Sequence, residues 1–128
     1  MTRRAVSTGG APAAIGPYSQ GIAVDGFIFC SGQIGLDPST GELVEGGVEE
    51  QAERVLRNLA AVLDAAGASM ADVVKTTIFL ADIGDFAKVN AVYARHMPDP
   101  PPARSTFAVG ALPKGARIEI EAIARRPG

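Results

Sequence analysis

The sequence has few of the residues from which several common sites are built. Its 128 residues include one cysteine, one histidine and no tryptophan. A single cysteine excludes a disulfide bond within the chain, and Cys30 with His96 leaves too few sulfur and nitrogen ligands for a common zinc site. The glycine patterns of nucleotide-binding loops are also missing from the sequence. We therefore expect no bound metal and no cofactor.

Long apolar runs and blocks of basic charge are missing as well. No segment approaches the roughly 18 apolar residues of a membrane span, and no signal-peptide core follows Arg3 and Arg4. The chain has 12 Lys and Arg against 14 Asp and Glu, a net charge of -2. This balance argues against a dedicated nucleic-acid binder. We expect one cytoplasmic domain over residues 1–128, with neither nucleic-acid nor membrane partners.

Local patterns predict a hairpin and a long helix in the first half of the chain. Residues 25–26, Asp-Gly, are the preferred two-residue turn of a hairpin, and apolar triplets flank them at 22–24 and 27–29. From Val48 to Ala66, apolar residues recur with the spacing of a helix that buries one face. The first half of the chain is thus predicted to contain two paired strands followed by a helix.

The second half of the chain predicts a strand, a helix and two more strands. Residues 73–81 are rich in β-branched residues, which favours a strand. Asp85 is expected to cap a second helix that Pro98 ends. The predicted buried face of that helix consists of Phe86, Val89, Tyr93 and Met97. Further strands are predicted over residues 104–109 and 117–124.

The predicted element order gives an α+β domain with two helices on one face of a mixed sheet. In the last strand, Glu119 and Glu121 share the face opposite to the apolar residues. No predicted helix remains to cover that face of the sheet. Because the mean hydropathy of +0.17 is high for a small soluble monomer, we expect the uncovered face to take part in subunit association.

A few residues are candidates for chemistry, each with a structural alternative. Arg104 follows three prolines, which would hold its backbone for capture of a carboxylate or phosphate; the structural alternative is a surface ion pair. Either Glu119 or Glu121 could act as a base, or both could be solvated or paired with Arg117 or Lys114. The Tyr18 hydroxyl could donate a hydrogen bond to a ligand, or Tyr18 could be an ordinary tyrosine packed against its neighbours.

Three other polar residues are interpreted as structural. Asn90 could be only an exposed helix residue, and His96 is expected to be a surface or capping residue. Cys30 lies in an apolar strand and is expected to be a small buried side chain. No basic residue adjoins it in the sequence to lower the pKa of its thiol.

Five segments together resemble one protein family, the RidA (reactive intermediate deaminase) family, also called the YjgF or L-PSP endoribonuclease family. They cover almost the whole chain in the family's order and spacing, although residues 42–50 match less closely. The segments are APAAIGPYSQG (11–21), SGQIG (31–35), DVVKTTIFLADIGDFAKVNAVY (72–93), PPARSTFAV (101–109) and LPKGARIEIEAIA (112–124).

The resemblance implies a fold, an assembly and an activity. The implied fold is a chorismate-mutase-like α+β domain, and the implied assembly is a homotrimer with a barrel-like core and ligand clefts between subunits. The implied activity is that of a 2-iminobutanoate/2-iminopropanoate deaminase. Such an enzyme hydrolyses reactive enamine and imine acids, such as 2-aminoacrylate, to 2-oxo acids and ammonia.

The resemblance also implies roles for individual residues. Arg104 would bind the substrate carboxylate, Glu119 would activate or position a water molecule, and Tyr18 would lie beside it. The implied substrate-binding residues are completed by Ser31, Asn90, Ser105 and Thr106. Many relatives carry cysteine where this chain has Thr106, so a role that needs a thiol would be absent here.

Two other functions remain open from the sequence. A non-catalytic protein that binds a small carboxylate or a regulatory partner would use the same Arg104 cleft, and turnover alone would separate it from an enzyme. A ribonuclease is suggested by one of the family's names. The chain offers that chemistry neither a histidine pair nor a basic groove.

Overall fold

The computed structural model describes residues 2–127, and these form an α+β domain. Its strands are Arg4–Val6 (β1), Gly21–Val24 (β2), Phe27–Gln33 (β3), Val73–Leu80 (β4), Ala103–Ala108 (β5) and Ile118–Arg125 (β6). Its helices are Val48–Ala65 (α1) and Phe86–Ala94 (α2). Short 3₁₀ turns lie at Met70–Asp72, Ile83–Asp85 and Pro113–Gly115.

The six strands form one mixed sheet in the order β1-β2-β3-β6-β4-β5. The β4–β5 pair is parallel and the other pairs are antiparallel. The predicted hairpin is confirmed, since Asp25 and Gly26 take the positive φ angles (54° and 80°) that a two-residue turn of this kind needs. β1 was not predicted, because three residues are too few to establish a periodicity.

Both helices described in residues 2–127 pack on the same face of the sheet, as predicted. The buried face of α1 includes Val55, Leu56, Leu59, Val62 and Leu63, each 0% exposed. It packs against β3, β6 and α2. The alternation in β6 is also confirmed, since Ile118, Ile120, Ala122 and Ala124 are buried in this core. No helix in the described residues is long and apolar enough to cross a membrane.

The start of α2 differs from the sequence-based expectation. Asp85 precedes the helix, but its side chain makes no capping hydrogen bond. Instead, both of its carboxylate oxygens accept from one terminal nitrogen of Arg117, at 2.9 Å each. A nearly buried carboxylate gains more from a charged partner than from a backbone amide. The same contact occupies Arg117, which therefore does not pair with Glu119 or Glu121.

The far end of α2 is tied to α1 by the only histidine of the chain. His96 Nε2 lies 2.8 Å from Oε1 of Glu53. This contact, together with that of Arg57, holds the pKa of the Glu53 carboxyl below its usual range. His96 is therefore a half-buried contact between the helices rather than a plain surface or capping residue.

The face of the sheet away from the helices carries exposed apolar side chains. Phe29 is 43% exposed and Phe107 is 52% exposed. Phe107 stacks on Phe79 of the neighbouring strand at 6.4 Å between ring centroids. Exposed neighbouring aromatic rings of this kind are typical of surfaces that contact another protein. The expectation of an uncovered apolar face is thus confirmed within residues 2–127.

Candidate active site

A cleft of about 650 Å³ opens between the loop at residues 12–18 and the strands β3 and β6. Tyr18, Ser31, Glu119 and Glu121 all line it, together with Lys114. Four polar side chains of these types supply both hydrogen-bond donors and a carboxylate base. Three of the predicted site residues, Tyr18, Ser31 and Glu119, are therefore brought together in one cleft.

A buried glutamine fixes the loop that forms one wall of this cleft. The Nε2 group of Gln20 donates to the carbonyl oxygen of Pro12 at 2.7 Å and lies within 3.3 Å of that of Ala11. Its Oε1 accepts from the amide of Thr8 at 2.7 Å. Because Gln20 is 4% exposed, these bonds satisfy groups that water cannot reach. No sequence pattern distinguishes this glutamine from any other polar residue.

Ser31 and Tyr18 are oriented by the same loop. The Ser31 hydroxyl donates to the carbonyl oxygen of Ser19 at 2.6 Å, so its oxygen remains free to accept from a ligand. The Tyr18 side chain is 53% exposed. Its hydroxyl oxygen accepts from the amide of Ile15 at 3.4 Å, a long bond that leaves the hydroxyl proton available.

Glu119 lies against the backbone of Gly32 at the side of the cleft. A Cβ atom at position 32 would collide with the Glu119 carboxylate, so a larger residue there would require the carboxylate to move. Burial raises the pKa of the Glu119 carboxyl above its usual range, and the nearby Glu121 carboxylate raises it further. No lysine or arginine in residues 2–127 lies within 4 Å of it. A carboxyl group of raised pKa is suited to proton transfer near neutral pH.

Arg104 on β5 is surrounded by one face of α2. One terminal nitrogen of its guanidinium donates to Oδ1 of Asn90 at 2.8 Å. Its Cζ atom lies 5.3 Å from the ring centroid of Phe86 and 5.1 Å from that of Tyr93. These three helix residues follow the i, i+4, i+7 spacing of a single stripe, so the guanidinium is bordered by two rings and an amide.

The surroundings of Arg104 correct one prediction and extend another. Phe86 was expected to be buried with Val89 and Tyr93, yet it is 37% exposed because its ring covers Arg104 rather than the core. Asn90 is a partner of Arg104 rather than a free helix residue. The signal that could have found this cluster is the spacing of Phe86, Asn90 and Tyr93 in the sequence.

Thr106 lies two residues beyond Arg104 and faces the same side of the sheet. Its Oγ1 atom is buried and has no hydrogen-bond partner among residues 2–127. A buried hydroxyl without a partner is unfavourable by roughly 1–3 kcal/mol. A ligand held by Arg104 could satisfy it.

Ser105, between Arg104 and Thr106, points to the opposite side. Its hydroxyl oxygen accepts from Nζ of Lys75 at 3.0 Å on the uncovered face. Ser105 is therefore not part of the Arg104 cluster through its side chain. Its peptide group remains adjacent to both neighbours.

The sheet separates the two groups of predicted residues. Arg104 pairs with Thr76 in the β4–β5 register, and both side chains contact α2 on the helix-covered face. Glu119 lies between the buried Ile118 and Ile120, so its side chain points to the uncovered face. A single protomer consequently does not place Arg104 and Glu119 against the same substrate molecule.

The described residues contain no group of three or more His, Cys, Asp and Glu side chains that could hold a metal ion. Cys30 is buried at 6% exposure, as expected, and burial raises the pKa of its thiol to about 12. A thiol of this kind is neither a nucleophile nor a metal ligand at neutral pH.

The sequence model of the family described as Endoribonuclease L-PSP matches residues 8–126 of this chain. Among curated proteins, the human 2-iminobutanoate/2-iminopropanoate deaminase is 55% identical over 124 residues, covering 97% of this chain and 90% of the human protein. Protein DfrA of Myxococcus xanthus is 56% identical over 126 residues and covers 97% of this chain and 96% of that protein.

Solved structures have the same fold over nearly the full length. RidA from an Antarctic Psychrobacter species superposes with a TM-score of 0.92 at 46% identity, covering 95% of this chain and 98% of that one. TdcF of Escherichia coli, solved with bound serine, has a TM-score of 0.91 at 43% identity, with 97% and 99% coverage.

Proposed function

The chain belongs to the Endoribonuclease L-PSP family, and on that premise we propose that it is a 2-iminobutanoate/2-iminopropanoate deaminase. It hydrolyses short 2-imino acids and their enamine tautomers, such as 2-aminoacrylate, to 2-oxo acids and ammonia. The similarity to curated deaminases over nearly the whole chain supports the activity class. The enzyme acts as a cytoplasmic homotrimer with its sites between subunits.

The observation that carries the proposal is the environment of Arg104. Its guanidinium is half-buried, and no carboxylate in residues 2–127 lies within 4 Å of it. Partly buried charges in proteins normally have a partner of opposite charge. Asn90 takes up one terminal nitrogen, and other N–H groups of the guanidinium remain for a ligand. A carboxylate fits this arrangement, because it can accept two parallel hydrogen bonds from a guanidinium.

Holding the carboxylate positions the carbon that reacts. In a 2-imino acid the C=N carbon is bonded directly to the carboxylate, so a bidentate contact with Arg104 fixes its location and plane. Restricting a reactant in this way removes much of the entropic part of the barrier. Arg104 is therefore expected to contribute mainly to binding and orientation.

Glu119 supplies the base. As a carboxylate it accepts a proton from a water molecule, whose oxygen forms a bond to the imine carbon while the C=N π electrons move to nitrogen. The proton held by Glu119 passes to this nitrogen and completes the carbinolamine. The hydroxyl proton of the carbinolamine is then transferred through the Glu119 carboxylate to the nitrogen, the C–N bond breaks, and ammonia and the 2-oxo acid are released. General base catalysis typically contributes about 10²–10⁴-fold. The raised pKa of Glu119 strengthens it as a base relative to an exposed glutamate.

Polar groups near the two clusters are suited to the imine nitrogen and the attacking water. The Tyr18 hydroxyl lies in the Glu119 cleft and retains a free proton, and Ser31 can accept there. On the Arg104 side, the Thr106 hydroxyl has no hydrogen-bond partner among residues 2–127, and the peptide groups of Ser105 and Thr106 adjoin it. A threonine hydroxyl can donate the hydrogen bond that a thiol donates only weakly.

The separation of Arg104 and Glu119 by the sheet supports an assembly in which neighbouring subunits complete one site. The uncovered face, with Phe29, Phe79 and Phe107, offers the apolar surface for this association. β5 is also an edge strand of the sheet, and free strand edges favour pairing with another chain. Light scattering at micromolar concentration should give a mass of about three times 13.1 kDa.

A coupled assay tests the activity. A PLP-dependent threonine dehydratase generates the imine, semicarbazide traps what remains, and formation of 2-oxobutanoate is followed against formation of the semicarbazone. The wild type should lower semicarbazone formation, and Arg104→Ala should remove most of this effect. Arg125→Ala is the matched control. The Cζ atom of Arg125 also lies over an aromatic ring, 5.0 Å from the centroid of Phe27, and Arg125 is outside both clusters.

The assay has two outcomes against the proposal. No acceleration by the wild type over buffer would contradict deamination and leave a non-catalytic carboxylate-binding protein. An Arg104→Ala variant as fast as the wild type would contradict the carboxylate clamp. An RNA-cleavage assay with the same variants tests the endoribonuclease activity that the family's name suggests. We expect the pure protein to lack this activity.

A further inference from the structure

We propose that Tyr93 and Phe86 are positioning residues that hold the Arg104 guanidinium in one plane, so that its free edge meets the substrate carboxylate. The inference rests on the proposed function and goes beyond it by assigning a role to two side chains that do not themselves contact the reacting atoms. It stands on the packing around Arg104, which differs from that of Arg125, the other arginine stacked on an aromatic ring among residues 2–127.

The guanidinium of Arg104 contacts two aromatic rings at once. Its Cζ atom is 5.3 Å from the Phe86 centroid and 5.1 Å from the Tyr93 centroid. Phe86 and Tyr93 are seven residues apart, so their Cα atoms are separated by about 10.5 Å along the helix. Contact with both rings restricts the tilt of the guanidinium more than contact with one ring would.

The side chain of Tyr93 is anchored to the sheet. Its ring is 6% exposed, and its hydroxyl shares a hydrogen bond with Oγ1 of Thr76, which is 1% exposed. Thr76 is the β4 residue directly opposite Arg104 in the parallel register. Tyr93 thus contacts both members of one cross-strand pair, and its side chain cannot swing away from Arg104 about the Cα–Cβ bond without breaking a buried hydrogen bond.

Asn90 and the two rings together set the orientation of the Arg104 guanidinium. Asn90 accepts from one terminal nitrogen at 2.8 Å and fixes rotation within the plane. The rings fix the plane itself. Two parallel hydrogen bonds to a carboxylate require the carboxylate to lie in the guanidinium plane. The orientation of α2 against β5 therefore determines the plane in which a bound 2-imino acid lies.

The test compares four variants of the full-length protein. Phe86→Leu removes a ring that is partly exposed, so the fold is retained. Tyr93→Leu removes the anchored ring, and Tyr93→Phe keeps the ring but removes its hydrogen bond to Thr76. Phe27→Leu, checked by light scattering to keep the oligomeric state of the wild type, is the matched control, since it removes the ring on which Arg125 stacks. The measurements are KM and kcat in the coupled assay and the dissociation constant of 2-oxobutanoate by calorimetry.

A third measurement reports on Arg104 without turnover. Side-chain NMR of arginine measures rotation about the Nε–Cζ bond, which should be slow for Arg104 in the wild type. Phe86→Leu and Tyr93→Leu should accelerate it and raise KM about tenfold, with a smaller change in kcat. Tyr93→Phe should recover most of the loss, because the ring contact is restored. Phe27→Leu should change neither KM nor Arg104 rotation.

The outcomes distinguish the inference from the proposed function. If Phe86→Leu and Tyr93→Leu match Phe27→Leu in Arg104 rotation and 2-oxobutanoate affinity, the positioning role is wrong. If the wild type binds 2-oxobutanoate with slow Arg104 rotation but produces no turnover, the deaminase proposal fails. The positioning role would then be supported by the loss of affinity in the ring variants.

Discussion

The two groups of candidate residues differ in how the fold holds them. Tyr18 and Ser31 take their positions from a loop that one buried glutamine ties together, and Glu119 reaches into the same open cleft. Arg104 packs against α2, where its guanidinium contacts two aromatic rings and one side-chain amide. The cleft is open, whereas the Arg104 guanidinium is half-buried among three side chains of α2.

The difference corresponds to what each group has to do. A group that binds a carboxylate gains from a fixed orientation, because two hydrogen bonds must form together. A group that handles water and protons needs access to solvent and a suitable pKa rather than one rigid geometry. The comparison leads to separate kinetic signatures for the two sides, and these can be measured.

The largest expected effect separates kcat from KM. Glu119→Gln keeps the shape of the side chain but removes the base, so kcat should fall by about 10²–10⁴-fold while KM changes little. Arg104→Ala should instead act strongly on KM. The coupled assay measures both parameters, and equal effects of the two variants on KM would remove the proposed division of roles.

A smaller effect is expected from the glycine beneath Glu119. Gly32→Ala places a methyl group against the Glu119 carboxylate and should displace it, lowering kcat by about tenfold through misplacement of the base. Gly9→Ala is the control, because a Cβ there meets nothing within 4 Å. Circular dichroism and kcat for both variants check this. An unchanged kcat in a folded Gly32→Ala protein would argue against Glu119 as the base.

The smallest expected effect is a shift of a pH profile. Because burial and the Glu121 charge raise the pKa of Glu119, kcat/KM should fall as pH drops through a value above the usual range of glutamate. Glu121→Gln removes the like charge, lowers the pKa of Glu119 and moves this acidic limb to lower pH. A profile that moves to higher pH, or not at all, would exclude Glu121 as a cause.

The sequence predicted the elements of the fold better than the contacts between them. Hydrophobic periodicity located α1 and β6 because burial of a face leaves a regular pattern. It did not identify Gln20 as the anchor of the cleft loop, since its partners are backbone carbonyl oxygens that any residue provides. It also assigned Asp85 to a helix cap, because nothing local reveals that Arg117, 32 residues further on, is its partner.

For the candidate site, the sequence named the residues and placed Glu119 on the uncovered face, but it did not indicate on which face Arg104 lies. Arg104 and Glu119 come from different strands, and their relative orientation depends on the register between β4, β5 and β6. Register is a tertiary property that one residue of slippage would invert. The separation of the two clusters could therefore be found only in the folded structure.

The central claim is that one site takes Arg104 from one subunit and Glu119 from another. Mixed trimers of Arg104→Ala and Glu119→Gln test it most directly, at a substrate concentration far below KM, where each variant alone has little activity. If the two residues come from different subunits, random mixing in equal amounts should restore about one quarter of the wild-type activity per site. No recovery in trimers shown by mass spectrometry to contain both variants would contradict the claim.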